Sequence, residues 1–166
     1  MINFRPINKN IFLNVVFVLS IFLIDRISKV YIIDLAKENI NMNIYSSEIL
    51  NIILIWNEGI AFGLFSNSSE VFYNGLTIII CLISLLVLLF AFKQDGLKKY
   101  ALLSIFAGSL GNLYDRIFFS AVPDFIDFHI NEFHWFIFNA ADVFISIGVI
   151  IMIMTEFFAK ERNQNE

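Results

Sequence analysis

Four aspartates stand in or beside runs of sequence that are too apolar to hold an idle charge: Asp25, Asp115, Asp124 and Asp142. An ionisable side chain at membrane depth costs about 2.5–3.5 kcal/mol even on lenient insertion scales, so each must be neutralised or used. Asp25 and Lys29 are four residues apart, on one helical face, where they can form a structural ion pair. Asn112, Asp115 and Arg116 have spacings of three and four, so one helix face would display an amide, a carboxylate and a guanidinium together. That trio fits a structural network or a substrate contact, since a guanidinium is a fixed fork of donors suited to a peptide carbonyl or a carboxylate. The adjacent small residues Ala107, Gly108, Ser109 and Gly111 permit close helix contact.

Asp124 follows the third apolar run in Val122-Pro123-Asp124-Phe125, and Asp142 opens the fourth in Asn139-Ala140-Ala141-Asp142, which puts both at one membrane face and depth. Two carboxylates brought together there can share one proton, because repulsion and partial desolvation drive their pKa values apart. One ionised and one neutral carboxyl is what peptide hydrolysis by activated water requires. On spacing alone, a pair of helix-end aspartates more often caps helices or solvates an interface. Asp127, His129, Glu132 and His134 are candidate zinc ligands, but their spacing matches no compact motif and a hairpin is expected to turn neighbours to opposite faces. Ser120 with either histidine lacks the turn that surrounds a nucleophilic serine.

The elements that must position these groups follow from composition. Of 166 residues 58% are hydrophobic and 16% charged, too apolar for one soluble core, so much of the solvent must be lipid. The net charge of -4 is scattered, which argues against nucleic acid as a partner. Cys81 lies inside an apolar run and is expected to be an ordinary small buried residue. Since about 20 apolar residues cross a bilayer, four spans are expected: Ile11 to Leu35, Val71 to Phe92, Tyr100 to Phe119 and Phe136 to Phe158. The basic N-terminus followed by an apolar run is read as a retained span, because no small-residue cleavage site precedes Asp25.

Arg5, Lys9, Lys93, Lys98, Lys99, Lys160 and Arg162 fall on one side if both termini are cytoplasmic, and the two outer segments are acidic overall. In the longer one, Glu48 to Trp56 and Ile60 to Phe65 flank an Asn57-Glu58-Gly59 turn and predict a strand pair. In the other, Asn131-Glu132 separates Phe125 to Ile130 from Phe133 to Phe138, a second hairpin, with Phe133, Trp135 and Phe136 suited to an interfacial belt. Residues 1–166 read as a single membrane domain.

The ordered set Asp25-x-x-x-Lys29, Asn57-Glu58-Gly59-Ile60-Ala61-Phe62-Gly63, Gly111-Asn112-Leu113-Tyr114-Asp115-Arg116, Val122-Pro123-Asp124-Phe125 and Phe138-Asn139-Ala140-Ala141-Asp142 resembles the lipoprotein signal peptidase family, signal peptidase II. Five motifs in order over nearly the whole chain make the resemblance specific. It implies an all-α bacterial inner-membrane protein of four spans with a small extracytoplasmic β-cradle. The implied activity is an aspartic endopeptidase that removes the signal peptide of a diacylglyceryl-modified prolipoprotein before its lipidated cysteine. It implies Asp124 and Asp142 as the catalytic pair, Asn57 and Arg116 as holders of the substrate backbone, and Asn112 and Asn139 as lining and orienting residues. Asp25, Lys29 and Asp115 would support the fold, with no metal, no organic cofactor and a monomer acting in membrane lipid.

Three positions depart from the family pattern. Arg26 stands for glutamine, Ala107 for the first of two glycines, and Pro123 for an aliphatic residue, removing a backbone N–H beside Asp124. A small ion-relay or transporter protein using Asp25, Asp115 and Asp142 is the alternative from another class, although the charges gather at one face. A membrane anchor that recruits a partner through its outer segments is a second, and it gives no reason for two convergent aspartates.

Overall fold

The computed structural model describes residues 9–38, 43–59 and 70–164 of the chain. In chain order these form α1 (Lys9–Glu38), β1 (Asn43–Ser46), β2 (Leu50–Asn57), α2 (Glu70–Ala91), α3 (Gly96–Phe119), β3 (Val122–Ile130), β4 (Phe133–Phe138) and α4 (Ala140–Gln164). Large apolar side chains on α1, α2 and α4, such as Ile27, Ile78, Leu82 and Ile153, are exposed. A helix can leave such residues uncovered when hydrocarbon is its solvent, because its backbone is satisfied internally. Cys81 is likewise exposed on α2, contrary to the buried position expected of it.

Among the described residues, three helices are long and apolar enough to cross a membrane, over Lys9–Lys37, Tyr73–Ala91 and Ala140–Phe158. The 24 residues of α3 suffice in length, but the helix carries Lys98, Lys99, Asp115 and Arg116 and does not meet the same measure. The fourth run begins later than its apolar content suggests, because Phe136–Phe138 belong to β4 and the helix starts after Asn139.

Although it does not meet the membrane-span measure, α3 packs against each of the other helices. Small residues make that possible: a Cβ on Gly108 would stand 2.5 Å from the Ala141 carbonyl oxygen, and one on Gly148 would stand 2.6 Å from that of Ala101. Between these contacts the Ser104 hydroxyl donates to the Phe144 carbonyl at 2.8 Å. The first turn of α4 is thereby fixed in height against α3.

The strands form one antiparallel sheet in the order β1-β2-β3-β4. The second hairpin occurs as expected, with Ile130 opposite Phe133 and Asn131 in the left-handed region at φ 53°. The first is different. β2 pairs with β1 on one side and, across chain segments, with β3 on the other, placing Asn57 opposite Val122 and Ile55 opposite Asp124. Its expected partner, Ile60 to Phe65, lies outside the described residues. Leu54 and Phe125 pack on Ile32 and Ala36, which anchors the sheet to the end of α1.

Gly148→Ala is expected to lower the thermal unfolding midpoint of the detergent-solubilised protein, since overpacking against backbone costs about 1–3 kcal/mol. Gly75→Ala, where an added Cβ meets nothing within 4 Å, is expected to leave it unchanged or raise it.

Candidate active site

Asn139 is the N-cap of α4, and with Asp142 it forms a reciprocal capping box. The Asp142 backbone N–H donates to Asn139 Oδ1 at 3.2 Å, and the Asn139 backbone N–H donates to Asp142 Oδ2 at 3.1 Å. The capping role left open by the sequence is therefore real for Asp142, and it coexists with a place on the cavity wall. The Asn139 side-chain amide remains free to donate to Asp124 Oδ1 at 2.6 Å, so one residue touches both carboxylates.

From β2, Asn57 donates to Asp124 Oδ2 at 2.9 Å. From α3, Asn112 donates to Asp142 Oδ1 at 2.8 Å. The orientation of all three amides is dictated by groups that can only donate. Asn57 Oδ1 accepts the Gly59 N–H at 2.9 Å, Asn112 Oδ1 accepts Lys29 Nζ at 2.8 Å, and Asn139 Oδ1 accepts the Asp142 N–H. Each NH2 must then face a carboxylate, and each carboxylate oxygen of the pair receives one N–H. Pro123 does not prevent this: it sits near the start of β3 opposite Trp56, and Asp124 still reaches both its asparagines.

Asp124 and Asp142 line one cavity of about 340 Å³ with Asn57, Asn112, Arg116 and Asn139. Its remaining wall is largely apolar, including Ile80, Val122, Phe136, Ile137 and Ile145, with Ser109 and Ser146 between α3 and α4. Burial first, and then the charge of Asp142, push Asp124 up to about 6, against the lowering effect of its two asparagine donors and of Lys29. Asp124 can thus hold a proton in a range where an exposed aspartate has lost it.

Behind this wall lies a buried, charge-balanced cluster of two carboxylates and two cations. Lys29 Nζ spends its three donors on Asp25 Oδ1 (2.9 Å), Asp115 Oδ2 (2.7 Å) and Asn112 Oδ1 (2.8 Å). Arg26 grips Asp115 at 2.5 and 2.7 Å and Asp25 at 2.7 Å, with its guanidinium 4.7 Å from the Tyr114 ring centroid. Asp25 Oδ1 also accepts the Ala141 N–H at 3.1 Å, so a side chain from α1 helps cap α4 just before Asp142. A Cβ on Gly111 would stand 2.5 Å from Asp25 Oδ2, which is why only glycine fits there.

The expected α3 trio is split. Asn112 and Arg116 reach the cavity, whereas Asp115 turns to α1, and Arg116 Nη2 donates to the Gly59 carbonyl. Arg26, which the pairing of Asp25 with Lys29 alone overlooks, could have been found by charge balance, because Asp115 needs a second cation. On the sheet, Asp127, His129 and His134 do gather on one face: His134 Nδ1 lies 2.9 Å from Asp127 Oδ2, and the imidazoles stack at 4.9 Å. The expectation that neighbours scatter is wrong for these three, because residues two apart share a strand face and His129 pairs with His134. Glu132 does not join them, and among the described residues no group of three or more such side chains could hold a metal ion.

The raised Asp124 pKa carries a stability consequence. A carboxyl at about 6 when folded and about 3.9 when unfolded binds its proton more tightly in the folded state, so stability falls as pH rises between those values. This group alone is expected to remove roughly 2 kcal/mol between pH 4 and 7. Thermal unfolding across that range should show the decline in the parent protein and a flatter profile in Asp124→Asn, whatever that variant's baseline.

The family model for signal peptidase (SPase) II matches residues 17–158. A lipoprotein signal peptidase from Pelagibacter ubique is 48% identical over 158 residues, covering 95% of each chain. Its counterpart from Aquifex aeolicus is 38% identical over 148 residues, covering 88% of this chain and 86% of that one. A solved bacterial membrane enzyme, obtained by the in meso method at 2.3 Å, superposes with a TM-score of 0.71 at 27% identity and covers 90% of both chains.

Proposed function

The chain belongs to the signal peptidase II family, and from that membership we propose that it is an aspartic endopeptidase working at the membrane's outer face, with Asp124 and Asp142 as its catalytic pair. The observation that carries the reading is the donor arrangement: both carboxylates share one cavity, and every oxygen of the pair is fixed by an N–H. Relatives named lipoprotein signal peptidase supply the substrate class, a prolipoprotein. The diacylglyceryl-modified cysteine is the residue before which the chain would be cut.

In this mechanism the ionised carboxyl takes a proton from water while the hydroxide oxygen bonds to the scissile carbonyl carbon. The neutral carboxyl gives its proton to the carbonyl oxygen, forming a tetrahedral diol. As the C–N bond breaks, the newly protonated carboxyl passes its proton to the leaving amine, and a hydroxyl proton of the diol returns to the other carboxyl. One proton is again left on the pair. Asn57 and Arg116 would hold the substrate backbone, Asn112 and Asn139 orient the acids, and Asp25, Lys29 and Asp115 keep α1, α3 and α4 in register.

We assign α3 as a fourth span, its charged ends at the interfaces and its interior polar residues turned to the other helices. Both termini would then be cytoplasmic in the bacterial inner membrane, with the sheet as the extracytoplasmic cradle and 1–166 as one domain. A monomer suffices, because both acids come from one chain. The ion-relay alternative has little support, since Asp25 and Asp115 are locked in a neutral cluster.

Purified protein in lipid, incubated with a diacylglyceryl-modified prolipoprotein, is expected to yield the shortened product on a gel. Asp124→Asn and Asp142→Asn should each lower the rate by at least about 100-fold while remaining folded, and a chelator should have no effect. Cleavage undiminished in both variants would remove the pair from the mechanism.

A further inference from the structure

Among the described residues, two neighbouring buried polar atoms have no partner at hydrogen-bonding distance and angle: Nη1 of Arg116, on the cavity wall, and the hydroxyl of Tyr73, which adjoins Arg116 and feels its charge. They belong to stacked side chains, with the Arg116 guanidinium carbon 5.3 Å from the centre of the Tyr73 ring. Tyr73 comes from the first turn of α2 and Arg116 from the last turn of α3. Arg116 lines the cavity that holds Asp124 and Asp142, and it makes no ion pair among the described residues. Among the described residues its acceptor is the Gly59 carbonyl.

A buried donor left unpaired carries its full desolvation penalty, and a buried guanidinium without a carboxylate carries more, so such groups persist where a ligand completes them. The missing partner is an acceptor, because an arginine can only donate. The asparagine oxygens do not fill this role: those of Asn57, Asn112 and Asn139 accept from Gly59, Lys29 and Asp142. A peptide threaded through the cavity brings one carbonyl oxygen per residue, with two lone pairs each.

Resting on the protease reading above, we infer that Tyr73 is a substrate-binding residue whose hydroxyl, together with Arg116 Nη1, grips one backbone carbonyl of the signal peptide. The stack pre-orients both donors before substrate arrives, which limits the ordering cost on binding. Tyr73 takes no part in bond breaking; it sets how firmly the chain is held beside the acids.

Tyr73→Phe keeps the ring on Arg116 and removes only the hydroxyl. With the diacylglyceryl-modified prolipoprotein as probe and the full-length enzyme in lipid, KM is expected to rise about 3- to 10-fold with kcat within twofold, as for one lost hydrogen bond. The substrate-free variant should unfold at the same temperature as the parent or higher, because an unpaired buried hydroxyl has been deleted. An unchanged KM, or a lower unfolding temperature with KM unmoved, would overturn the assignment and make Tyr73 a packing residue. Should Tyr73→Phe disturb α2, Tyr73→Trp, which restores an aromatic ring and an N–H donor, is expected to recover part of the KM loss; no recovery counts against the inference. A parent enzyme that cleaves nothing would fault the protease reading instead, so the two failures are distinguishable.

Discussion

Three asparagine oxygens, each claimed by a group that can only donate, govern the site. The Gly59 N–H, the Lys29 ammonium and the Asp142 N–H take the carbonyl ends of Asn57, Asn112 and Asn139, so all three NH2 groups have one orientation available. That constraint turns two acidic side chains into a fixed pair with every oxygen occupied by a single donor. Each such oxygen keeps a lone pair for a proton or for water.

The rest of the fold serves this arrangement. Lys29 reaches Asn112 because α1 and α3 are drawn together by a neutral cluster of two carboxylates and two cations, in which removal of any one partner strands a buried charge. Asp25 links the cluster to the first turn of α4, and Gly108 and Gly111 let the helices approach closely enough for these bonds. The sheet brings Asn57 and Asp124 to the other side, by pairing a strand from one segment with a strand from another far along the chain. The ion cluster, the helix cap and the cross-segment strand pair therefore form one mechanical unit.

Local signals made much of this legible in the sequence. The apolar runs mark the helices and Asn131-Glu132 marks a hairpin, but apolar content alone starts the last helix at Phe136, inside what is β4. Composition places Asp124 and Asp142 at one depth but cannot say that they share a cavity, since that depends on β2 inserting beside β3. The same pairing explains why a local hairpin around Asn57-Glu58-Gly59 is an incomplete description of β2. Helical spacing groups Asn112, Asp115 and Arg116, yet adjacent residues on a helix diverge by about 100°, and Asp115 and Arg116 go to different neighbours. Arg26 is reached only by balancing the charge of Asp115, and Tyr73 only through its tertiary contact with Arg116.

The claim on which all of this converges is that Asp124 carries a proton because it is buried beside Asp142. Infrared titration of the protein with 13C-labelled aspartate carboxyls reads that proton directly. A protonated-carboxyl band that is lost with a midpoint near 6, is absent from Asp124→Asn and moves to lower pH in Asp142→Asn is the predicted result. A band that vanishes below pH 4.5, or one that survives unchanged in both variants, would contradict it.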